Sequence, residues 1–240
     1  MRTLPFLLTL LICPMICMAQ LGVQVLTTSN SAPSWQVIYE NALTGKHAQF
    51  LHFGSAMECY WHQRLAESRW FLRPAWRLDR NTQEYRFHHF EATALDLQTG
   101  IGAVLAGHGS KTGNHLFVEL FALGGYFNFR YRQPYFEEQS QPAGYHVHRA
   151  SSFHVGAGGR LGAHLNISSQ LAFGPIVGIR VLPQTRWPQL REVLDAAELP
   201  AQLEQSTFTQ LFMGVAIQWS FTPRDAQTHH SKSSQYSAGE

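Results

Sequence analysis

The chain has 240 residues, 45% hydrophobic and 14% charged, with 19 Gly, 11 Pro, 16 Phe, 8 Tyr and 6 Trp. The charged fraction is well below the ~25% of an average soluble domain, and a formal net charge of +2 gives no electrostatic basis for binding nucleic acid. Abundant aromatic and β-branched residues exclude a disordered chain. A slightly negative mean hydropathy, with no second long apolar run, excludes a helical membrane bundle.

Met1 and Arg2 precede an apolar run from Leu4 to Ile12, and Cys17-Met18-Ala19 sets a small residue before Gln20. This pattern predicts a secretory signal over residues 1–19. Pro5, Pro14 and the lack of amphipathic spacing oppose a buried N-terminal helix. Cys13 and Cys17 each follow Ile, where a lipoprotein signal needs a small residue. Removal of the signal leaves one cysteine, Cys59, which excludes an internal disulfide and a multi-cysteine metal site. Residues 20–33 are expected to form a periplasmic segment ahead of the first strand.

From residue 34 the chain alternates, as half-buried strands must. The first segment, 34–42, sets Trp35, Val37 and Tyr39 against Gln36, Ile38 and Glu40. Residues 50–64 set Leu51, Phe53, Met57, Cys59 and Trp61 against His52, Gly54, Glu58, His62 and Arg64. Residues 70–78 set Trp70, Leu72, Trp76 and Leu78 against Phe71, Arg73 and Arg77, and 94–105 set Leu95, Leu97, Ile101 and Leu105 against Asp96, Gln98, Gly100 and Gly102. Over 114–132 the parity holds to Gly124-Gly125 and then shifts by one, which predicts a bulge there. Residues 149–165 set Phe153, Val155, Ala157, Leu161 and Leu165 against Ser152, His154, Gly156, Gly158, Arg160, Gly162 and His164. Residues 171–181 set Leu171, Phe173, Val177, Ile179 and Val181 against Gly174, Gly178 and Arg180. The last segment holds Leu211, Met213, Val215, Ile217, Trp219 and Phe221 on one parity, with Phe212 the exception on the other.

Eight such segments, several about 10 residues long, predict an all-β fold, an eight-stranded antiparallel transmembrane β-barrel. A soluble sandwich or a lipocalin-like cup also alternates. Against these stand a polar parity rich in Gly and Ala, poor in charge for a solvent face, and aromatics near strand ends (Trp35, Tyr60, Trp61, Trp70, Trp76, Tyr131, Trp219) suited to an interfacial girdle. With a periplasmic N-terminus, short turns fall at 65–68, 106–113 and 166–169. Outward loops fall at 43–48, 80–85, 132–149 and 182–206. Leu190, Val193, Leu194 and Ala197 share a helical face, which predicts a short helix in the last extracellular loop. The domain plan is therefore a barrel over 34–221 and a disordered periplasmic tail over 222–240, rich in Ser, His and Gln.

The strands "FHVGAGGRLGAHLN" (153–166), "LAFGPIVGIRV" (171–181) and "FMGVAIQWSF" (212–221) resemble those of small bacterial outer membrane β-barrel proteins, including the PorT-like group. The resemblance spans about Ser34 to Phe221. It implies outer membrane lipid as the surroundings and the barrel-assembly machinery as a partner in biogenesis, with Trp219 and Phe221 as the terminal assembly signal. Ala216 stands where that pattern prefers Gly, and 19 residues follow Phe221. Such proteins include anchors, adhesins and secretion components, so the resemblance does not supply an activity.

On the inward parity lie Glu58, Arg73, Arg77, Asp96, Glu119, Arg160 and Arg180. An eight-stranded lumen is only wide enough to be filled by side chains, so these seven are expected to form a neutralising network rather than a transport path. His146 and His148 form an His-x-His pair that could share a divalent metal, although no Cys, Asp or Glu completes the set. Ser152 and His154 are the nucleophile–base pair of an alternative, a lipid A-modifying enzyme, but both are on the inward parity, away from lipid. The reading is thus a non-enzymatic barrel without cofactor, an anchor or interaction scaffold acting through its extracellular loops. A component of a secretion or envelope-assembly complex is the competing expectation.

Overall fold

The computed structural model describes residues 20–31, 53–65, 68–85, 88–107, 114–136, 141–186 and 205–221. Among them the elements are eight strands: β1 (Gln20–Ser31), β2 (Phe53–Arg64), β3 (Trp70–Tyr85), β4 (His88–Ala106), β5 (His115–Tyr135), β6 (Gly144–Asn166), β7 (Leu171–Arg186) and β8 (Gln205–Ser220). Each pairs antiparallel with its sequence neighbours, and β1 closes the ring against β8. Closure leaves no free edge, so the backbone polar groups of the strands are paired within the sheet.

The seam is where expectation and structure part. Residues 20–31 are not a segment ahead of the barrel. They are its first strand, paired from Gln20↔His62 to Ser29↔Phe53 on one side and from Gln20↔Ser220 to Ser31↔Thr209 on the other. Leu21, Val23 and Val25 point outward while Gln24, Leu26 and Thr28 are buried within. Residues 34–42, where the alternation predicts a strand, lie outside the described residues, as do the predicted helix around Leu190, Val193, Leu194 and Ala197 and the predicted tail.

Several strands also run further than their apolar pattern. β3 includes the expected loop 80–85 and meets β4 through Tyr85↔His88. β5 and β6 take up most of the expected loop 132–149, pairing as far as Tyr135↔Gly144. At the other end the connections are short. Leu65 N–H donates to Trp70 O (3.0 Å), Ile167 N–H donates to Leu171 O (2.9 Å), and β4 is followed by Gly107, whose φ of 85° lies in the left-handed region.

The expected bulge at Gly124-Gly125 is absent. Both residues hold register, with Leu97↔Gly124 and Asp96↔Gly125 on one side and Gly124↔Val155 and Gly125↔His154 on the other. The shift of apolar parity has another cause: Phe127, Phe129 and Tyr131 face the lumen and are buried there. A register irregularity falls instead between Val104 and Ala106, and another between Leu182 and Thr185.

Outside, the wall is apolar, with Val25 65%, Trp76 67%, Leu120 66%, Phe153 72% and Met213 64% exposed. Trp61, Trp70 and Trp219 stand outward near the short-turn end. Tyr60 and Tyr131 do not join a girdle, for both are buried inside.

Inside, aromatics face glycines across the strands: Tyr60 opposite Gly22, Phe71 opposite Gly102, Phe117 opposite Gly162, Phe121 opposite Gly158 and Phe212 opposite Gly178. Each ring lies across the glycine, where a Cβ would collide with it. At Gly162 the Cβ would stand 2.5 Å from the Phe117 ring, the nearest of its contacts. Gly162→Ala is therefore expected to destabilise the refolded barrel by roughly 1–3 kcal/mol through overpacking, with part of the loss restored by Phe117→Leu. Urea unfolding midpoints measure both, and an unchanged midpoint for G162A would show that Phe117 does not lie there.

Candidate functional site

The lumen is where this fold gathers its buried charge. Glu58, Arg73, Arg77, Asp96, Glu119, Arg160 and Arg180 all face inward, none more than 2% exposed. Asp79, which the sequence reading missed, joins them at 7% exposed. It is on the parity of Arg73 and Arg77, one residue beyond the point where the apolar pattern of β3 ends. Among the described residues the buried charged set is thus four arginines and four carboxylates.

They form two tiers. Nearer the short turns, Arg160 reaches Glu58 Oε1 at 2.6 Å and Glu119 Oε1 at 2.9 Å. Arg73 meets Glu119 Oε2 at 3.3 Å and Glu58 Oε1 at 4.0 Å, completing a square of two cations and two anions. In the next tier Arg77 binds Asp79 through Nε (2.9 Å) and Nη2 (3.0 Å) and also donates to Gln210 Oε1 (2.6 Å). Gln210 in turn donates to Asn30 Oδ1 at 2.7 Å. Arg180 bridges Asp79 (2.9 Å) and Asp96, and His154 Nε2 is 2.6 Å from the second oxygen of Asp96.

The bidentate fork of arginine suits this work, because each guanidinium contacts two partners in one plane and keeps a face for an aromatic ring. Arg73 sits 3.5 Å from the centroid of Tyr60, Arg77 4.6 Å from Phe212 and Arg160 4.7 Å from Phe121. Glycines provide the space. A Cβ on Gly100 would strike the Glu119 carboxylate, and one on Gly125 would stand 2.9 Å from Asp96 Cα. Asp96 on β4 and His154 on β6 meet across β5 because Gly125 lies between them.

Rings close the network on both sides. Toward the short turns, His62 stacks on Phe71 (4.4 Å), and His164 lies 4.9 Å from both His115 and Phe117. Toward the other end Phe127 meets Phe208 at 5.6 Å and Phe90 stacks on Tyr131 at 4.5 Å.

The remaining candidates fall elsewhere. His146 packs against Tyr135 (4.9 Å) and His148 stacks on Tyr131 (5.6 Å). Among the described residues no group of three His, Cys, Asp or Glu is placed to hold a metal. Ser152 donates to the Phe153 carbonyl at 3.1 Å, and His154 is engaged by Asp96 inside the lumen. Trp219 faces outward at the seam, opposite Leu21 on one side and Leu171 on the other, and Phe221 is 59% exposed.

No protein-family model and no characterised protein matches the chain by sequence. Among solved structures it is similar to Neisserial surface protein A (NspA), at 8% identity and a TM-score of 0.45 over 85% of this chain and 97% of that one. It is also similar to OprG from Pseudomonas aeruginosa, at 8% identity and 0.44 over 85% and 96%. A major outer membrane protein from Thermus thermophilus gives 12% identity and 0.47 over 84% and 99%.

Arg160 serves both glutamates, so Arg160→Gln is expected to cost roughly 3–5 kcal/mol by leaving buried carboxylate charge uncompensated. Adding Glu58→Gln restores the balance, and the double variant is expected to be less destabilised than the sum of the single variants. Strict additivity in urea unfolding would show that the two groups are not paired.

Proposed function

We propose that the protein is an outer membrane β-barrel with a closed lumen, exported by its N-terminal signal, that acts without catalysis as a membrane anchor or interaction scaffold through its outward-facing end. The observation that carries this reading is the contrast between the two faces of one sheet. Outside, alternate residues along every described strand are exposed and largely apolar across the middle of the wall, as on β8 from Leu211 to Phe221. That length suits a tilted strand crossing a bilayer, and so wide an apolar surface would be a strong drive to associate in water. Inside, Arg73, Arg77 and Arg180 are 0% exposed, so no water-sized passage runs alongside them.

Orientation follows from the connections. The short connections β2–β3, β4–β5 and β6–β7 belong on the periplasmic side, which sends the opposite end of the barrel, with the β5–β6 tip, outward. At that tip Tyr135, Phe136, Tyr145 and Val147 are exposed, a surface suited to protein or glycan contact. Trp219 and Phe221, alternating at the end of the closing strand, suit the signal read by a barrel-assembly machinery. The burial of Ser152 and His154 inside the lumen supports a non-catalytic role, because a lipid on the wall does not reach them. The finer likeness to the PorT-like group rests on the Gly-rich and terminal strand motifs.

Two measurements test this. An outer membrane fraction run unboiled and boiled on SDS gels is expected to show a heat-modifiable band, since a closed sheet resists SDS until heated. A soluble or heat-indifferent protein would contradict the embedding. Purified protein in planar bilayers is expected to show no stable large-conductance step, and porin-like steps would contradict the closed lumen.

A further inference from the structure

Above the apolar belt the outer wall changes character in register. Leu78, Leu95, Tyr126 and Phe153 form one cross-strand row on β3 to β6, all exposed. Two residues further along each strand the row reads Arg80, Thr93, Asn128 and Ser151, and the next reads Thr82, Glu91, Arg130 and Arg149. Glu91, Thr93, Asn128, Arg130 and Arg149 line a cavity of about 320 Å³ on this wall.

The charges in it are not balanced. Arg130 and Arg149 face each other directly across β5 and β6, and like charges so placed destabilise a sheet. Glu91 is opposite Arg130, but Arg80 already holds it at 3.1 Å. The Nε of Arg130 is buried and without a hydrogen-bond partner among the described residues. The cavity lining thus carries two arginines and one carboxylate that Arg80 already engages, with Thr93 and Asn128 as neutral donors beside them. An anion with several oxygens would bridge the two opposed arginines and satisfy the free Nε–H.

We propose that this cavity binds the phosphate of a phosphorylated glycolipid of the outer leaflet, whose acyl chains lie on the row of Leu95, Tyr126 and Phe153 below it. The inference rests on the outer membrane reading above, which places this end of the barrel outward. A lipid-borne phosphate is favoured over a free one because the cavity opens on a wall whose next row toward the membrane is exposed and apolar. Arginine stems reach down such a wall while their heads stay at the polar level.

The test uses the full-length refolded protein in detergent, with bis-phosphorylated lipid A, its dephosphorylated counterpart and inorganic pyrophosphate as probes, read by native mass spectrometry. The wild type is expected to retain the phosphorylated lipid at least tenfold better than the dephosphorylated one, on the scale of one lost charge-assisted contact (roughly tenfold or more). R130Q/R149Q is expected to lose roughly tenfold or more in retention while keeping its heat-modifiable band, which shows that it folds. E91Q removes the competing carboxylate and is expected to bind more tightly, a gain that misfolding cannot mimic. Equal retention of the two lipids, undiminished retention by the double variant, or displacement by equimolar pyrophosphate overturns the proposal. A wild-type protein with no heat-modifiable band before any lipid is added overturns the barrel reading, and this proposal with it.

Discussion

Closure of the sheet is the constraint on which the other features depend. A ring of eight strands removes every edge and leaves an interior whose width is set by strand number and tilt rather than by what fills it. The strands cannot move apart to admit water or together to expel it, so side chains must match the space. Two devices achieve this. Glycines take the positions opposite Tyr60, Phe71, Phe117, Phe121 and Phe212, letting each ring lie flat across the neighbouring strand. Arginines fill the remaining width, and because they carry charge into a region of low dielectric, each needs carboxylate partners at contact distance. Four of each occur among the described residues. A lysine in place of Arg160 would present one point charge to Glu58 and Glu119 rather than a planar fork, and would lose the face now resting on Phe121.

The outer wall was legible in the sequence because the bilayer is a uniform solvent. Whatever the strand, the outward parity within the belt has to be apolar, so a period of two announces it in β6, β7 and β8 with little noise. Legibility fails where that solvent ends. Beyond Leu78, Leu95 and Tyr126 the outward residues become Arg80, Thr93 and Asn128, while the inward residues become Phe90, Phe127, Phe129 and Tyr131. On β4 and β5 the polarity of the two faces inverts although the register does not. A parity rule reads the inversion on β5 as a bulge at Gly124-Gly125, and the loss of outward apolar residues as the end of a strand, which is why β3 and β6 look shorter in sequence than they are. β1 escaped for a related reason. Its outward set is brief, Leu21, Val23 and Val25, and Leu26 breaks the alternation by filling the lumen.

The charged site was legible as membership and not as wiring. Parity alone places Glu58, Arg73, Arg77, Asp96, Glu119, Arg160 and Arg180 inside. Which pairs meet depends on register between strands, and on gaps such as the one Gly125 leaves between Asp96 and His154. Asp79 was lost by a boundary error of one residue. His154 is near Ser152 in sequence, but its partner is 58 residues away on another strand. Spacing along one strand cannot show such a contact, because the lumen joins residues from strands that are not neighbours in the sheet.

The two groups of arginines in this barrel obey different rules because they face different media. Inside, an unmatched charge has no solvent to turn to, and Arg73, Arg77, Arg160 and Arg180 are matched by the same number of carboxylates. On the outer wall, Arg80 pairs with Glu91, while Arg130 and Arg149 face each other across β5 and β6 at the level where the apolar belt gives way to polar rows. There water and lipid headgroups are both within reach, so a surplus of positive charge is tolerable even with Arg130 directly opposite Arg149. The same side chain that seals the lumen when matched is thus left, at the wall's polar rows, free to serve the anion site proposed above. Function in this fold need not run through the barrel at all: the closed interior provides rigidity, and the wall and rim are left to interact.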